Sequence, residues 1–426
     1  MAPLKVLICG GGIAGPALAF WLSKLGYDIT VVERFSCLRA SGQQIDLRGP
    51  GIQAMKRMGL EQAFRSKSVD ETGTQFVDSS GRQRGFFPVN KTGEGPQGFT
   101  TDFEIMRGDL CRLLYDATKD HVEYIFDMTV SSFHQHDGVV DVRFSNGLED
   151  QFDLLVGADG QGSRIRRMML PPDSPNPFYT LHMYVAYFTT ARQSSDERIA
   201  TTYLGTNKRV IFTRSHDSIT TQTYLIYPDN SDQLKGVMNS KLEEQKKTWA
   251  ELYRDAGWEA KRIVQAMQDD SISNDFYTHE VAQVRMGSWS RGRVVLVGDA
   301  AYCPSPLTGM GTTSGLVGAY VLAGEIAKHL NDPKEVLSGN PDGEKDPLVS
   351  ALEAYDSRFR PFMSQVQTLG PGLWIPSSSW AIAVCNFLIG IFAFLHIDYL
   401  STYVLREDVK WDLPDYAELT QLGLSE

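Results

Sequence analysis

Short apolar runs that end at a glycine or an acidic residue recur along the chain. They cover residues 4–9, 29–33, 152–156 and 294–297. Continuous apolar runs of this length are typical of strands buried on both faces of a parallel sheet. Helical patterns follow the first and the last run, so these segments are predicted to form βα units.

A different pattern occupies the middle of the chain. Residues 183–190, 209–214 and 218–227 alternate in polarity and are rich in Tyr, Thr, Ile and Phe. Such alternation predicts a mostly antiparallel sheet. We therefore predict an α/β fold in which a discontinuous Rossmann-type domain is formed by residues 1–75, 100–175 and 285–345. A mostly antiparallel substrate domain, residues 76–99 and 178–284, is inserted into it, and a helical C-terminal region covers residues 346–426.

Residues 380–397 form a long apolar stretch, interrupted only by Asn386 and His396. Its length is at the lower limit of what spans a bilayer. Asn386 near its middle and the lack of flanking basic residues argue against a span. The pattern favours a buried C-terminal helix, and a membrane contact through 380–397 is the alternative.

Composition limits the possible partners and compartment. The formal net charge of −11 argues against a nucleic-acid partner, which needs a basic face. The five cysteines are scattered, without a CxxC pair or metal-ligand spacing, so we predict free thiols and no metal. The first predicted strand follows Met1 almost at once, which leaves no room for a signal peptide and favours a cytoplasmic protein.

A glycine-rich loop follows the first predicted strand and opens a helix. Gly10, Gly12 and Gly15 occupy the three places of GxGxxG, with Ile13 and Ala14 between the last two. Glycine at these places allows a tight turn, a close approach of the backbone to a pyrophosphate and close packing of helix on strand. The free N–H groups of the helix start attract the phosphates. The motif predicts a dinucleotide site.

An acidic residue ends the second predicted strand. Glu33 is placed where a carboxylate accepts hydrogen bonds from the adenosine ribose hydroxyls, and Arg34 beside it is a further candidate contact. The order of strand, glycines, helix, strand and acid supports the dinucleotide site. It does not distinguish FAD from NAD.

Two later motifs make that distinction. Residues 152–166 read FDLLVGADGQGSRIR, and residues 297–301 read VGDAA. Together with the glycine loop they resemble the class A flavin monooxygenases, the para-hydroxybenzoate hydroxylase-like group. The segments 44–60 and 104–110 look like the tetracycline-inactivating branch of that group and its relatives in natural-product pathways. The resemblance covers residues 4–330.

The resemblance implies FAD as cofactor and NADPH, or NADH, as reductant. The implied reaction adds O2 to reduced FAD as a flavin hydroperoxide and transfers one oxygen to an aromatic or polyketide-like small molecule, in secondary metabolism or antibiotic modification. A flavin-dependent reductase or dehydrogenase on the same scaffold is the alternative. The family needs few catalytic side chains, and the sequence identifies none.

The resemblance also implies roles for single residues. The FAD-binding loops would include Asp46, Arg107, Asp159 and Asp299, and the ring would lie against Pro306, Gly309, Gly311 and Thr312. Arg39 matches a position that contacts the NADPH phosphate. The segment Gly309–Gly311 is predicted to open an apolar helix, and the N-terminus of that helix can stabilise the negative charge of reduced flavin.

The substrate pocket is expected between the flavin and the inserted sheet. Its candidate lining residues are Tyr184, Tyr187, Phe212, Arg214 and Thr223. Alternate residues of a strand point to opposite faces, so the register decides which of these side chains face the pocket.

Overall fold

The computed structural model describes residues 3–39, 42–91, 98–193, 196–215, 217–228, 233–331, 346–369, 375–395, 409 and 411–420. A six-stranded sheet forms its first layer. In spatial order its strands are β17 (Ser290–Arg291), β18 (Val294–Leu296), β11 (Leu154–Gly157), β1 (Lys5–Cys9), β2 (Asp28–Val32) and β7 (Glu123–Ile125). All neighbours are parallel except β17 and β18.

A seven-stranded sheet forms the second large layer. Its strands, in spatial order, are β16 (Tyr277–Val284), β12 (Phe178–Ala191), β15 (Thr220–Pro228), β14 (Val210–Arg214), β13 (Ala200–Leu204), β4 (Gly73–Val77) and β5 (Gln83–Pro88). Only β13 and β4 pair in parallel. Since β4 begins at Gly73, this sheet starts slightly before residue 76, the boundary expected from the sequence.

Two smaller sheets complete the strands. One consists of β8 (Val130–His136), β9 (Val139–Phe144) and β10 (Glu149–Phe152). The other pairs β3 (Gln44–Asp46) with β6 (Glu104–Met106) in antiparallel register.

The helices of the parallel sheet and of the loops around it are α1 (Ala14–Lys24), α2 (Pro50–Arg57), α3 (Glu61–Arg65), α4 (Arg107–Asp116), α5 (Arg164–Met169), α9 (Asp299–Tyr302) and α10 (Gly311–Asn331). Those of the larger sheet are α6 (Gln233–Val237), α7 (Leu242–Tyr253) and α8 (Ala260–Met267). The C-terminal helices are α11 (Pro347–Val366), α12 (Ser379–Phe394) and α13 (Ala417–Thr420).

The apolar core extends from the parallel sheet into the C-terminal helices. Strands β1, β11 and β18 are buried on both faces, as their continuous apolar sequences require. Helix α10 packs between α1 and α11 and carries a continuous buried apolar surface. The mixed α/β fold with a helical C-terminal region, predicted from the sequence, is confirmed.

The larger sheet has two different faces. One packs on α7 and α8 through residues such as Phe188, Trp249 and Ile263. The opposite face, with Tyr187, Tyr224 and Val281, packs toward Leu307. Among the helices of the described ranges, none combines the length and apolar character that crossing a bilayer requires.

Candidate active site

The glycine loop joins β1 to α1, and its protein surroundings require glycine at two positions. Gly10 has φ +123°, and a Cβ there would lie 2.4 Å from the carbonyl oxygen of Ala158. At Gly15 a Cβ would lie 2.0 Å from the carbonyl oxygen of Gly10. At Gly12, by contrast, the nearest atom is a guanidinium nitrogen of Arg107, at 3.5 Å. One side of the loop is therefore closed by protein and the other remains accessible to a ligand.

Glu33 is fixed against this loop. Its Oε2 accepts a hydrogen bond from the N–H of Gly11 at 2.8 Å, and its Oε1 accepts one from the N–H of Phe35 at 3.1 Å. The carboxylate thus stands at the end of β2 beside the glycine loop, and its predicted contact with a ribose stays a prediction.

Three arginines, Arg34, Arg39 and Arg107, form an arginine cluster beside the loop. The Arg107 guanidinium donates to the Arg39 carbonyl oxygen at 3.5 Å. Desolvation lowers the pKa of Arg39, and the positive charges of Arg107 and Arg34 lower it further, while Glu33 opposes them. Neighbouring guanidinium groups that lower one another's pKa repel each other, so an anionic ligand such as a phosphate would stabilise their charged forms.

Asp159 shapes the loop that follows β11. Its carboxylate accepts hydrogen bonds from Ser163 Oγ at 2.5 Å and from the N–H groups of Arg164 and Ile165 at 2.6 and 3.3 Å. Ser163 in turn caps α5 by accepting from the N–H of Arg166 at 2.9 Å. The Asp159 side chain therefore orders the loop, and its predicted contact with a cofactor stays a prediction.

Arg166 connects this loop to the second acidic motif. It is fully buried, and its guanidinium donates to the carbonyl oxygen of Ala300 at 2.8 Å and to that of Gln161. The sequence motif contained Arg166, but its role as the link between the loop and α9 follows only from the structure.

Asp299 begins α9 directly after Gly298, which has φ +66°. A Cβ on Gly298 would lie 2.8 Å from the Cβ of Ala14, so this strand end abuts the start of α1. The Asp299 side chain is exposed to solvent in the cleft. Desolvation raises the pKa of its carboxyl, and the Cys303 thiol and Arg107 counteract that rise. Asp299, Arg107 and the glycine loop thus share one cleft.

The loop before α10 borders the same cleft. A 3-10 turn, Pro306–Thr308, leads into Gly309 at φ +62° in the left-handed region. Pro306 is exposed and Thr312 is half-buried. A Cβ on Gly311 would meet no protein atom within 4 Å, so the backbone at the α10 N-terminus is open to a ligand.

Arg48 connects Asp46 to the start of α10. The sequence analysis did not identify Arg48 as a site residue. Arg48 is buried and donates from Nε to Asp46 Oδ2 at 2.6 Å. Its backbone N–H donates to Thr313 Oγ1 at 3.0 Å, which joins the end of β3 to the first turn of α10. The spacing of Asp46 and Arg48 was visible in the sequence, but their contact with α10 was not.

The inserted sheet turns an aromatic surface toward the loop before α10. The Tyr187 and Tyr277 rings are stacked with centroids 4.8 Å apart, and Tyr224 lies 5.0 Å from Tyr187. Phe212 lies 5.1 Å from Tyr224, and Leu307 packs on this group. Burial raises the pKa of Tyr187, which keeps its hydroxyl neutral.

Two pocket candidates lie on the other face of this sheet. Tyr184 packs with Trp249 and Tyr253 against the helices. Thr223 is fully buried, with its Oγ1 3.4 Å from that of Thr190. Because side chains alternate along a strand, neighbours of Tyr224 and Val185 are turned away from the cleft. Of the candidates, Tyr187, Phe212 and Arg214 share the face toward it.

Arg214 is held in a buried charge cluster with Glu71 and Glu104. It donates from Nε to Glu71 Oε1 at 3.0 Å and from Nη2 to Glu104 Oε2 at 2.5 Å. Gln44 also donates to Glu104. Burial raises the pKa of Glu104 to about 7, against the attraction of Arg214. The cluster joins β3 and β6 to the aromatic face.

Among the described residues, no group of three or more His, Cys, Asp or Glu side chains is placed so that it could hold a metal ion. The cleft instead combines an open glycine loop, the arginine cluster, an acid at the end of β2 and a second carboxylate at a strand end. This combination fits FAD, because open glycine backbone faces the space that the arginine cluster and Asp299 border.

Comparison with known proteins agrees with this site. The sequence profile of the FAD binding domain family matches residues 3–339. An FAD-dependent monooxygenase of Sarocladium schorii is 43% identical over 431 residues, 98% of this chain and 99% of that protein. A flavin-dependent monooxygenase of Phoma sp. is 38% identical over 431 residues, 98% of each. The crystal structure of tetracycline destructase Tet(55) matches with a TM-score of 0.75 at 29% identity, covering 97% of this chain and 99% of that one. The chain therefore belongs to the FAD binding domain family and is a class A flavin-dependent monooxygenase.

Proposed function

We propose that the enzyme uses NADPH or NADH and O2 to hydroxylate, or otherwise oxygenate, an aromatic or polyketide-like small molecule. The observation that carries the proposal is the aromatic face of the inserted sheet, where Tyr187, Tyr224 and Phe212 lie in contact and pack toward Leu307. A flat, electron-rich substrate is recognised well by such rings.

Named residues would hold FAD in the cleft. The glycine loop and the arginine cluster would bind the pyrophosphate, Glu33 the adenosine ribose, and Asp299 a hydroxyl of the ribityl chain. The N-terminus of α10, at Gly311, would place its positive dipole end near the ring. When bound, FAD supplies the electron transfer from the reductant to O2 and the activation of one oxygen atom.

We infer that the arginine cluster also receives the reductant. Arg34 and Arg39 are exposed at the mouth of the cleft and lie over the Phe35 ring at 4.7 and 5.5 Å. An exposed guanidinium beside a ring can bind both a phosphate and an adenine. Arg39 is the proposed contact for the 2′-phosphate of NADPH, so the Arg39→Ala variant should lose any preference for NADPH over NADH.

The substrate would lie between the aromatic face and the loop before α10. Tyr187 and Phe212 would contact its ring, and Arg214 with its paired carboxylates would hold Phe212 and Tyr224 in place. The similarity to tetracycline destructases supports a polyketide-like ring system as the substrate class. Burial of the Tyr187 side chain keeps water away from this wall, as oxygen transfer requires.

The test combines three readouts on the purified, FAD-loaded protein. Candidate phenols and polyketides are screened for stimulated oxidation of NADPH and NADH, for uptake of O2 and for product mass. A product that gains one oxygen atom, with matching O2 uptake, supports the proposal. A substrate reduced without O2 uptake would instead assign a flavin-dependent reductase and overturn it.

A further inference from the structure

Helix α12 carries an apolar stripe on the outer surface of the protein. The exposed fractions are 72% for Trp380, 69% for Phe387 and 81% for Phe394. Val384, Leu388 and Leu395 are also exposed. We call these six residues the α12 stripe; at about 100° of rotation per residue they fall within about one third of the helix circumference, with Leu395 directly after its last turn, so they form one face. An exposed apolar surface that runs the length of a helix is typical of an interaction site.

The opposite side of α12 is fixed on the rest of the protein. A Cβ on Gly85 of β5 would lie 2.7 Å from Ile389 Cγ2, and a Cβ on Gly390 would lie 3.0 Å from the Arg84 carbonyl oxygen. Ala381 is buried. This close contact of helix and strand, possible because glycine lies on each side, determines which face points outward. The stripe is exposed because its helix is held by the other face.

Two cationic side chains without an ion-pair partner among the described residues lie in the segments that flank α12, although the whole chain is acidic. Residues 377–395 contain no charged side chain. Arg82 and Arg84 lie on the hairpin of β4 and β5, and Lys208 lies in the turn whose Asn207 N–H donates to the Ser377 carbonyl oxygen at 2.8 Å. Arg84 pairs with Asp78 at 2.5 Å. Within the described ranges, Arg82 and Lys208 form no ion pair, so they leave net positive charge at the rim.

We propose that the α12 stripe and its cationic rim seat the enzyme on the surface of an anionic lipid bilayer. Helix α12 lies in the plane of the interface, with Trp380, Phe387 and Phe394 among the acyl chains. Arg82 and Lys208 face the headgroups. An uncharged helix face with aromatic residues toward both ends and cations beside it matches the chemistry of that interface.

A second copy of the chain fits this surface less well. A symmetric dimer through the stripe would bring the Arg82 and Lys208 side chains of two copies toward each other, because a two-fold interface uses the same patch on both subunits. Like charges at an interface oppose association, whereas anionic headgroups favour these cations. The two cations therefore favour an anionic bilayer over a second copy of the chain as the partner of the stripe.

Vesicle sedimentation of the full-length, FAD-loaded protein tests the proposal. We expect the wild type to pellet with phosphatidylcholine vesicles that contain phosphatidylglycerol. The Phe387→Ser/Phe394→Ser double variant should bind at least about tenfold more weakly, because two large apolar side chains are lost. Each of Arg82→Gln and Lys208→Gln should weaken binding to the anionic vesicles by about fivefold, with little effect on neutral ones.

Matched controls separate this effect from misfolding. Ile219 is 74% exposed and lies away from α12, so Ile219→Ser should bind vesicles like the wild type. All variants should retain FAD absorbance and the thermal midpoint of the wild type, since the altered side chains are exposed. Vesicle binding that Ile219→Ser weakens as much as the double variant would overturn the assignment to α12.

Fluorescence locates the contact. The Trp380 side chain is 72% exposed, whereas Trp21, Trp249 and Trp289 are buried and Trp258 and Trp411 are half-buried. Brominated lipids should therefore quench wild-type emission, and the Trp380→Phe variant should lose most of that quenching. A protein that shows no quenching and does not pellet, but forms a dimer that Phe387→Ser dissociates, would assign the stripe to a second copy and overturn the lipid proposal.

Discussion

The Oε2 atom of Glu33 accepts a hydrogen bond from the backbone N–H of Gly11 at 2.8 Å. This bond joins the carboxyl end of β2 to the glycine loop after β1. A Cβ on Gly11 would lie 3.3 Å from the Cβ of Glu33, so the two segments are also in close packing contact. The acid that would bind the ribose and the loop that would bind the phosphates are thereby held as one unit.

Replacing the Glu33 carboxylate should weaken FAD binding. In Glu33→Gln the charged acceptor for Gly11 and for the ribose is lost, and hydrogen bonds to charged groups contribute about 1.5–3 kcal/mol. We expect the dissociation constant for FAD to rise by at least about tenfold, measured by the quenching of flavin fluorescence on titration. Glu149→Gln, an exposed acid on β10, is the control and should bind FAD normally. Equal affinities for both variants would show that Glu33 does not contact the cofactor.

Adding a methyl group at Gly15 should prevent FAD binding. The new Cβ would lie 2.0 Å from the Gly10 carbonyl oxygen, so the loop must move away from β1. We expect Gly15→Ala to be purified without yellow colour and with a lower thermal midpoint. Gly236→Ala is the control, since a Cβ there meets no atom within 4 Å. Normal FAD content in Gly15→Ala would contradict the loop geometry.

Removal of the buried Arg166 guanidinium should destabilise the protein. Arg166→Met leaves the carbonyl oxygens of Ala300 and Gln161 without this donor, at a cost of about 3 kcal/mol in the free energy of unfolding. Urea unfolding would measure the loss. The neighbouring Arg167 donates to the Gly162 carbonyl oxygen at the surface, at 2.7 Å, so Arg167→Met should cost less than about 1 kcal/mol. Similar losses in both variants would argue against a structural role specific to Arg166.

The stability of the protein should depend on pH through Glu104. Burial raises the pKa of its carboxyl from 4.5 to about 7, Arg214 opposes the rise, and Glu71 and Asp46 add to it. Between these two values the folded state binds the proton more tightly than the unfolded chain. This group therefore lowers stability as pH rises through that window.

Glu104→Gln, which cannot ionise, tests this dependence. We expect the thermal midpoint of the variant to rise relative to the wild type between about pH 5 and about pH 8. Glu243→Gln, at an exposed position of α7, should follow the wild type at every pH. A constant difference between Glu104→Gln and the wild type would show that Glu104 keeps one protonation state across this range.

The two faces of the inserted sheet should respond differently to substitution. Phe212→Ala removes a ring from the aromatic face, and we expect KM for the substrate to rise by about tenfold with FAD content unchanged. Thr223→Ser, on the opposite face, should leave KM unchanged. Steady-state kinetics at saturating reductant would measure both. An unchanged KM in Phe212→Ala would place the substrate elsewhere in the cleft.

The sequence by itself determined the parts of the site that depend on neighbouring residues. The places of Gly10, Gly15 and Glu33 follow from one βαβ unit, in which strand, turn and helix are consecutive, and Asp299 follows its strand end in the same way. Runs of buried apolar residues were likewise sufficient to predict the mixed α/β fold. Local geometry fixes these features, because short connections leave few arrangements.

Only the tertiary structure decided which side chains meet across the chain. Tyr184 and Thr223 face the helices while Tyr187 and Phe212 face the cleft, because one step in strand register reverses the face. Arg166 contacts Ala300, and Arg214 contacts Glu71 and Glu104, across more than one hundred residues of sequence. The apolar stretch at 380–397 was expected to be buried, yet much of α12 is exposed, because only one of its faces packs on β5. Periodicity identifies the faces of a helix or strand, but the partner that covers each face is set by the fold.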